Sequence, residues 1–336
     1  MNVRRLISTT ALAGATALGL VTLSACSGTS SAGGGKGGGK LDVVVSFYPM
    51  QYLAEEIGGD HVEVTTLTKP GVEPHDLELK PRQASELRQA DYVLYLKGVQ
   101  PAVDEAIAQS GVEHTVDAAT LTTMESHGTE VGHDHGHEGE EHEGGHEGGE
   151  HDGQGGEEHD AGAGADPHVW LDPVKYAEVA QGVGDSLAKA DPAHAADYRK
   201  NTGTLVGKLK ALDAKFADGL RNGTTKTFIT THSAFGYLAE RYGLDQHGIA
   251  GIDPESEPSP ARIKELQSVA RQEKVSTVFF ETLASDRTAR TLAKDTGLRT
   301  DVLDPLEGIT DRSRGDDYLS VMESNLAALQ KALGAK

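Results

Sequence analysis

An octapeptide at mid-chain, residues 166–173, reads Asp-Pro-His-Val-Trp-Leu-Asp-Pro and contains the only tryptophan of the sequence. A polar, glycine-rich stretch precedes it and a segment with helical periodicity follows it, so we expect ordered structure to begin again here. Its two Asp-Pro pairs bias the backbone away from helix. His168, held between them, is either a metal ligand or a buried turn histidine that bonds a neighbouring carbonyl.

The first 40 residues have the pattern of a targeting segment followed by a linker. Two arginines precede an apolar run, and Leu-Ser-Ala-Cys ends at Cys26. This pattern predicts a signal peptide over residues 1–25. It resembles the lipobox of bacterial lipoproteins, which implies that Cys26 carries a lipid; a plain secretory signal with an incidental cysteine is the alternative. Residues 26–40, rich in glycine and serine, are expected to form a flexible, lipid-anchored linker.

Cysteine content and charge limit the possible partners. Cys26 is the only cysteine, so neither an intrachain disulfide nor a thiolate zinc site can form. The formal net charge of −21 argues against nucleic acid, because phosphate binding requires a positive surface, and it favours cations. No later segment approaches the ~20 apolar residues of a membrane span. We therefore expect an extracytoplasmic monomer that is anchored to the cell membrane only through Cys26.

Strands and helices alternate in both halves of the chain. The predicted strands include residues 41–48, 62–68 and 92–96 in the first half and residues 226–231, 275–281 and 299–303 in the second. This alternation predicts an α/β fold with mainly parallel sheets. In such sheets ligands bind beyond the carboxyl ends of the strands, and His75 lies in a loop directly after one of them.

A long helix is predicted between the two halves. Apolar residues recur every three or four positions from Tyr198 to Leu220, which indicates a helix ~40 Å long. The strand and helix alternation restarts after it. The sequence therefore predicts an N-terminal lobe over residues 41–190, a rigid linking helix over 191–221 and a C-terminal lobe over 222–336, with a metal site in the cleft between the lobes. A single domain with an ordinary packed helix is the alternative.

Residues 125–165 are a histidine-rich acidic tract inserted in the first lobe. Residues 125–166 contain eight histidines and fourteen acidic residues but no lysine or arginine. Such a segment cannot bury apolar surface, and we expect it to be disordered without a ligand. Imidazoles and carboxylates on a flexible chain would bind zinc, nickel or copper weakly, with His133, His135 and His137 as accessory ligands. A solvated spacer is the alternative.

Four side chains are candidates for a single tight metal site. His75, His168, His232 and Asp304 each lie in a loop beside a predicted strand or helix start, two in each half of the chain. Three imidazoles and one carboxylate form a four-coordinate set that suits zinc better than magnesium or calcium. Glu281, at the end of its strand, or a water molecule could take the place of Asp304.

Four segments of the chain resemble known metal-binding motifs. They are Gly-Val-Glu-Pro-His-Asp (71–76), the octapeptide (166–173), Thr-His-Ser-Ala-Phe-Gly-Tyr (231–237) and Leu-Asp-Pro-Leu (303–306). They resemble the ligand motifs of the cluster A-I substrate-binding proteins of ABC importers, over the chain from about residue 41 to its end. The resemblance implies two α/β lobes bridged by a long helix, with His75, His168, His232 and Asp304 as ligands. Manganese-type members have a carboxylate where this chain has His232, so the resemblance favours zinc.

The resemblance implies a transport receptor rather than an enzyme. Such a receptor binds Zn(II) outside the membrane and delivers it to an ABC permease. A manganese or iron receptor of the same class is one alternative. An extracytoplasmic zinc hydrolase, with Glu281 or Glu257 as general base, is another, although no predicted helix carries a His-Glu-x-x-His motif. A metal-dependent adhesin or a storage lipoprotein is the third.

Overall fold

Two four-stranded parallel sheets form the framework of the part of the chain that the computed structural model describes, residues 39–127 and 165–335. The strands of the first sheet are β1 (Leu41–Val45), β2 (Val62–Thr66), β3 (Tyr92–Tyr95) and β4 (Thr115–Asp117). They lie in the order β2-β1-β3-β4, and all neighbours are parallel. Val43 of β1 is aligned with Val64 on one side and with Tyr92 on the other.

The valines of β1 explain why this strand is central. Val43 and Val45 belong to the largest apolar cluster, whereas Val44 belongs to a smaller cluster. Successive side chains of a strand point to opposite faces, so β1 is covered on both. The helices of this half are α1 (Tyr48–Gly58), α2 (Pro81–Gln89) and α3 (Pro101–Ala108). Each has a proline in its first two positions, where the missing N–H removes no helical hydrogen bond. The sequence patterns did not predict α3 or β4.

The second sheet repeats the topology of the first. Its strands are β5 (Thr227–Thr230), β6 (Asp245–Gly248), β7 (Thr277–Phe280) and β8 (Arg299–Val302), in the parallel order β6-β5-β7-β8. The helices of this half are α6 (Gly236–Tyr242), α7 (Pro260–Gln272), α8 (Arg287–Thr296) and α9 (Tyr318–Leu333). The predicted α/β fold with two parallel-sheet lobes is confirmed.

Two long helices connect the halves. The carboxylate of Asp172, from the octapeptide, accepts a hydrogen bond from the N–H of Val174 and caps α4 (Pro173–Ala190). A short 3-10 turn, Pro192–His194, leads into α5 (Ala195–Leu220). The predicted long helix is therefore present, but it starts four residues later than expected. It packs mainly against α4 and also contacts α1 and α9.

The largest apolar cluster runs through both halves. It contains Val43 of β1, Phe228 of β5 and Phe279 of β7, together with the inward face of α5. Smaller clusters cover the opposite faces of the two sheets. Gly39 and all following described residues thus form one compact unit. The lobe boundaries at residues 190 and 221 stay a prediction.

Several predicted features lie outside the described residues. These are the signal peptide, Cys26 and the linker as far as residue 38, and the part of the histidine-rich tract from 128 to 164 that includes His133, His135 and His137. Among the helices of residues 39–127 and 165–335, none has both the length and the apolar character to cross a membrane.

Candidate metal centre

His168 is positioned by the carboxylate of Asp166. The backbone N–H of His168 donates to Oδ1 of Asp166 over 3.0 Å, and the imidazole Nδ1 lies 2.7 Å from the same oxygen. Both residues are fully buried. The partner of the ring is thus a carboxylate rather than the carbonyl of the alternative interpretation. A carboxylate on Nδ1 fixes the tautomer and leaves Nε2 as the free ligand atom.

His75 and His232 each follow a parallel strand, one in each sheet. His75 lies in the loop after β2, where its backbone N–H donates to Oε1 of Glu73 over 3.2 Å. His232 comes two residues after β5, and its Nδ1 lies 2.6 Å from Oε1 of Glu281, the first residue after β7. The Thr231 hydroxyl donates to the same oxygen. Glu281 therefore faces the ring nitrogen of His232 that points away from the other histidines.

The three imidazoles converge on Glu307. Oε1 of Glu307 lies 3.5 Å from Nε2 of His75, 3.2 Å from Nε2 of His168 and 3.3 Å from Nε2 of His232. One ligand atom from each of the four residues lies within 4.8 Å of the other three. Three nitrogens and one oxygen at this spacing can surround a single ion in tetrahedral geometry. Two of the four residues come from each half of the chain.

Asp304, the carboxylate named from the sequence, is not among these four. Its Oδ1 accepts the N–H of Leu306 over 2.9 Å, and its Oδ2 accepts the Thr282 hydroxyl over 3.2 Å. These bonds shape the turn after β8, in which Leu306 has φ of +60°, a conformation that is uncommon for residues other than glycine. The turn places Glu307 at the centre of the group. Glu307 lies three residues beyond the carboxylate that the sequence predicts as the ligand.

Three polar atoms of the group lack a hydrogen-bond partner in the part of the chain that the structure describes. Nε2 of His75, Nε2 of His232 and Oε2 of Glu307 are buried, and none makes a well-formed hydrogen bond within the described residues. Buried polar groups are nearly always satisfied by a partner, and each unsatisfied one calls for an explanation. A bound cation would supply the common partner of these atoms.

The group has a strongly negative environment. Burial opposes protonation of His168 and His232, but the surrounding carboxylates outweigh this effect and raise both pKa values. Burial alone would raise the pKa of Glu307, yet the imidazoles, His232 foremost, hold it well below the usual range. Burial and the charge of Glu307 raise the pKa of Glu73 to about 9. A site that favours positive charge in this way also favours a dication, which displaces the protons when it binds.

The chain matches a family model described as zinc-uptake complex component A, periplasmic, over residues 43–332. It is 36% identical over 300 residues to zinc-binding lipoprotein AdcA of Streptococcus pneumoniae serotype 4, a match that covers 87% of this chain and 56% of that protein. The chain thus spans little more than half the length of that relative. It is 35% identical over 321 residues to the high-affinity zinc uptake system protein ZnuA of Bacillus subtilis, with 94% of each chain covered.

Solved structures resemble this fold over most of their length. The Zn(II)-bound ZnuA-like domain of Streptococcus pneumoniae AdcA matches with a TM-score of 0.69 and 32% identity, covering 88% of this chain and 99% of that domain. The laminin-binding protein Lmb of Streptococcus agalactiae, described as a bifunctional protein with adhesin and metal transporting activity, matches with a TM-score of 0.71 and 27% identity, covering 87% and 99% of the two chains.

Proposed function

This chain belongs to the family of periplasmic zinc-uptake components A, and on that premise we propose that it is a high-affinity extracytoplasmic receptor for Zn(II) that delivers the ion to an ABC permease. The observation that carries the proposal is the convergence of His75, His168, His232 and Glu307 around one point. Zn(II) is cargo in this proposal, and the four side chains are its ligands.

The donor set favours zinc over manganese or iron. Imidazole nitrogen suits zinc, whereas manganese is better served by carboxylate and water oxygens. Three of the four donors here are imidazoles, and the single carboxylate, Glu307, offsets part of the charge of the dication. The Nε2 atoms of the three imidazoles lie 3.2–3.5 Å from Oε1 of Glu307, so small side-chain movements would close the site around an ion.

A receptor role also fits the site better than hydrolysis does. A catalytic zinc keeps one coordination position open for water, whereas four protein ligands fill a tetrahedral shell. Of the two glutamates considered as a general base, Glu281 contacts Nδ1 of His232, and Glu257 is exposed to solvent. We therefore propose that the chain is not an enzyme. Membrane attachment through a lipid on Cys26, a monomeric state and a cognate permease complete the proposal.

Replacing each of the two candidate carboxylates by its amide tests which of them binds the ion. We expect Glu307→Gln to lower zinc affinity by about 100-fold, because an amide supplies no charge to the dication. Asp304→Asn should have a much smaller effect, because Asp304 holds the turn through Leu306 and Thr282 rather than facing the imidazoles. Competition with a chelator of known zinc affinity gives the zinc dissociation constants of both variants. A larger loss of affinity in Asp304→Asn than in Glu307→Gln would reverse the choice of ligand.

Elemental analysis of tag-free protein, purified without added metal, should find zinc as the main ion in the parent.

Removal of Glu281 tests the positioning of His232. Glu281→Ala leaves Nδ1 of His232 without the carboxylate 2.6 Å away. Loss of such a partner typically weakens metal binding about 10- to 100-fold, and we expect a decrease in this range. Glu281→Gln, which keeps an oxygen for Nδ1–H, should recover part of the affinity. Glu255→Gln, at an exposed position, is the control. Equal affinities of Glu281→Ala and the parent would show that Glu281 does not orient the ligand.

A further inference from the structure

A second group of possible ligands lies where the first described segment ends. Glu125, His127 and Glu240 each offer one ligand atom within 4.8 Å of the others. Nε2 of His127 lies 2.5 Å from Oε2 of Glu240 and 3.5 Å from Oε2 of Glu125. Glu240 belongs to α6, whereas the other two residues lie at the start of the histidine-rich tract in sequence. The group is therefore made of one imidazole and two carboxylates from separate parts of the chain.

Backbone contacts hold these residues in place. The N–H of Asp166 donates to the carbonyl of Glu125 over 2.8 Å, which joins the chain at the start of the tract to the residue that follows its end. The N–H of Glu125 donates to the Tyr237 hydroxyl over 2.8 Å, and that hydroxyl donates to the carbonyl of Asp166 over 2.9 Å. Tyr237 and Glu240 both lie on α6. The group thus rests on an ordered helix rather than on a free loop end.

The imidazole of His127 is oriented in the same way as that of His168. Nδ1 of His127 lies 3.2 Å from Oδ2 of Asp166, whose other oxygen contacts Nδ1 of His168. One fully buried carboxylate therefore holds two imidazoles, each through Nδ1. A carboxylate on Nδ1 is the common outer partner of a histidine that binds metal through Nε2. The Nε2 of His127 is accordingly directed at the two glutamates.

We propose that Glu125, His127 and Glu240 form a second site for a divalent cation of the zinc class, with water completing the coordination. One nitrogen and two oxygens suit zinc and the neighbouring transition metals. A cavity of about 370 Å³, lined by Glu125, Glu240 and Lys175 among others, gives solvent access.

This site should bind more weakly than the one formed by the three histidines and Glu307. The Nζ of Lys175 lies 2.6 Å from Oε1 of Glu125 and neutralises part of its charge. The side chain of Glu240 is 64% exposed, so water screens it. The hydrogen bond with Asp166 raises the pKa of His127 to about 8, and a cation has to displace that proton. The two sites share Asp166 but no ligand.

Anomalous scattering tests the site directly. Crystals of the full mature chain grown with excess zinc chloride should show two anomalous maxima at the zinc absorption edge that lie against described residues. One should lie among the three histidines and Glu307, and the other among Glu125, His127 and Glu240. A maximum at the first position without one at the second would overturn the second site. Absence of the first maximum would instead contradict the proposed function, so the two failures are distinguishable.

Metal counting in solution provides the second readout. After equilibrium dialysis against excess zinc, Glu240→Gln should bind one zinc ion fewer per chain than the parent. Glu178→Gln is the matched control, because Glu178 lines the same cavity but bonds the Thr122 hydroxyl and is not part of the group. It should bind as many ions as the parent. Equal counts for Glu240→Gln and Glu178→Gln would exclude the site.

Discussion

Zinc binding by His232→Ala should be at least about 100-fold weaker than binding by the parent. Binding of zinc to a four-ligand site contributes about 10–16 kcal/mol, so one ligand of four accounts for roughly 3 kcal/mol, and each 1.4 kcal/mol is a factor of ten. The change also leaves Glu281 and Glu307 buried without the imidazole that lies between them, which lowers the stability of the zinc-free protein.

Competition titration against a zinc chelator measures this effect. His247→Ala is the matched control, because His247 lies on β6 of the same sheet and its ring contacts only Asp245 among carboxylates of the described residues. Its affinity should equal that of the parent. Should His232→Ala retain zinc within a factor of about three of the parent, less than 1 kcal/mol, the four-ligand assignment would be incorrect.

Trp170→Ala should lower the free energy of unfolding by about 3–5 kcal/mol, the range for removal of a large aromatic side chain from a core. The indole is fully buried, and its ring centroid lies 5.1 Å from that of Phe47. Its Nε1–H donates to the carbonyl of Pro305 over 2.7 Å. The substitution thus removes packing from the octapeptide and a hydrogen bond from the turn that carries Glu307.

Guanidinium unfolding of zinc-free protein, followed by circular dichroism, measures this loss. Trp170→Phe is the control that separates packing from hydrogen bonding, because it keeps a ring against Phe47 but lacks the N–H. It should lose less stability than Trp170→Ala, while both variants should bind zinc more weakly than the parent. A loss of only about 0.5 kcal/mol in Trp170→Ala, typical of a surface substitution, would contradict the role of the indole.

The sequence was sufficient for the fold class and for three of the four converging side chains. Alternating strands and helices indicate parallel sheets, and in such sheets residues just beyond the strands meet at one edge. His75 and His232 follow strands, and His168 lies between two prolines that interrupt helix formation. In each case the relevant signal is local, so it could be read from the residues alone.

The position of the fourth side chain, Glu307, depends on the shape of a turn that cannot be predicted from the residue types alone. Asp304 and Glu307 both follow β8, and the pattern offered no reason to prefer the second. The left-handed conformation of Leu306, and the bond from its N–H back to Asp304, direct Asp304 into the turn and Glu307 towards the histidines. Helix α3 and strand β4 were missed for a related reason: both are short, and the three residues of β4 carry little periodic signal.

The apolar cluster shared by both sheets restricts how a captured ion can depart. Val43 and Phe228, one from each sheet, lie in the same apolar interior. A hinge opening that separated the two halves would expose this interior to water, at a free-energy cost of about 25 cal/mol per Å² of apolar surface. The loops that carry His75 and Glu307, residues 67–80 and 303–317, are connections at the strand ends and can shift while most of that interior stays buried. The dwell time of the ion should accordingly be governed by local fluctuations of these loops, and a partner protein could shorten it by pulling on a loop alone.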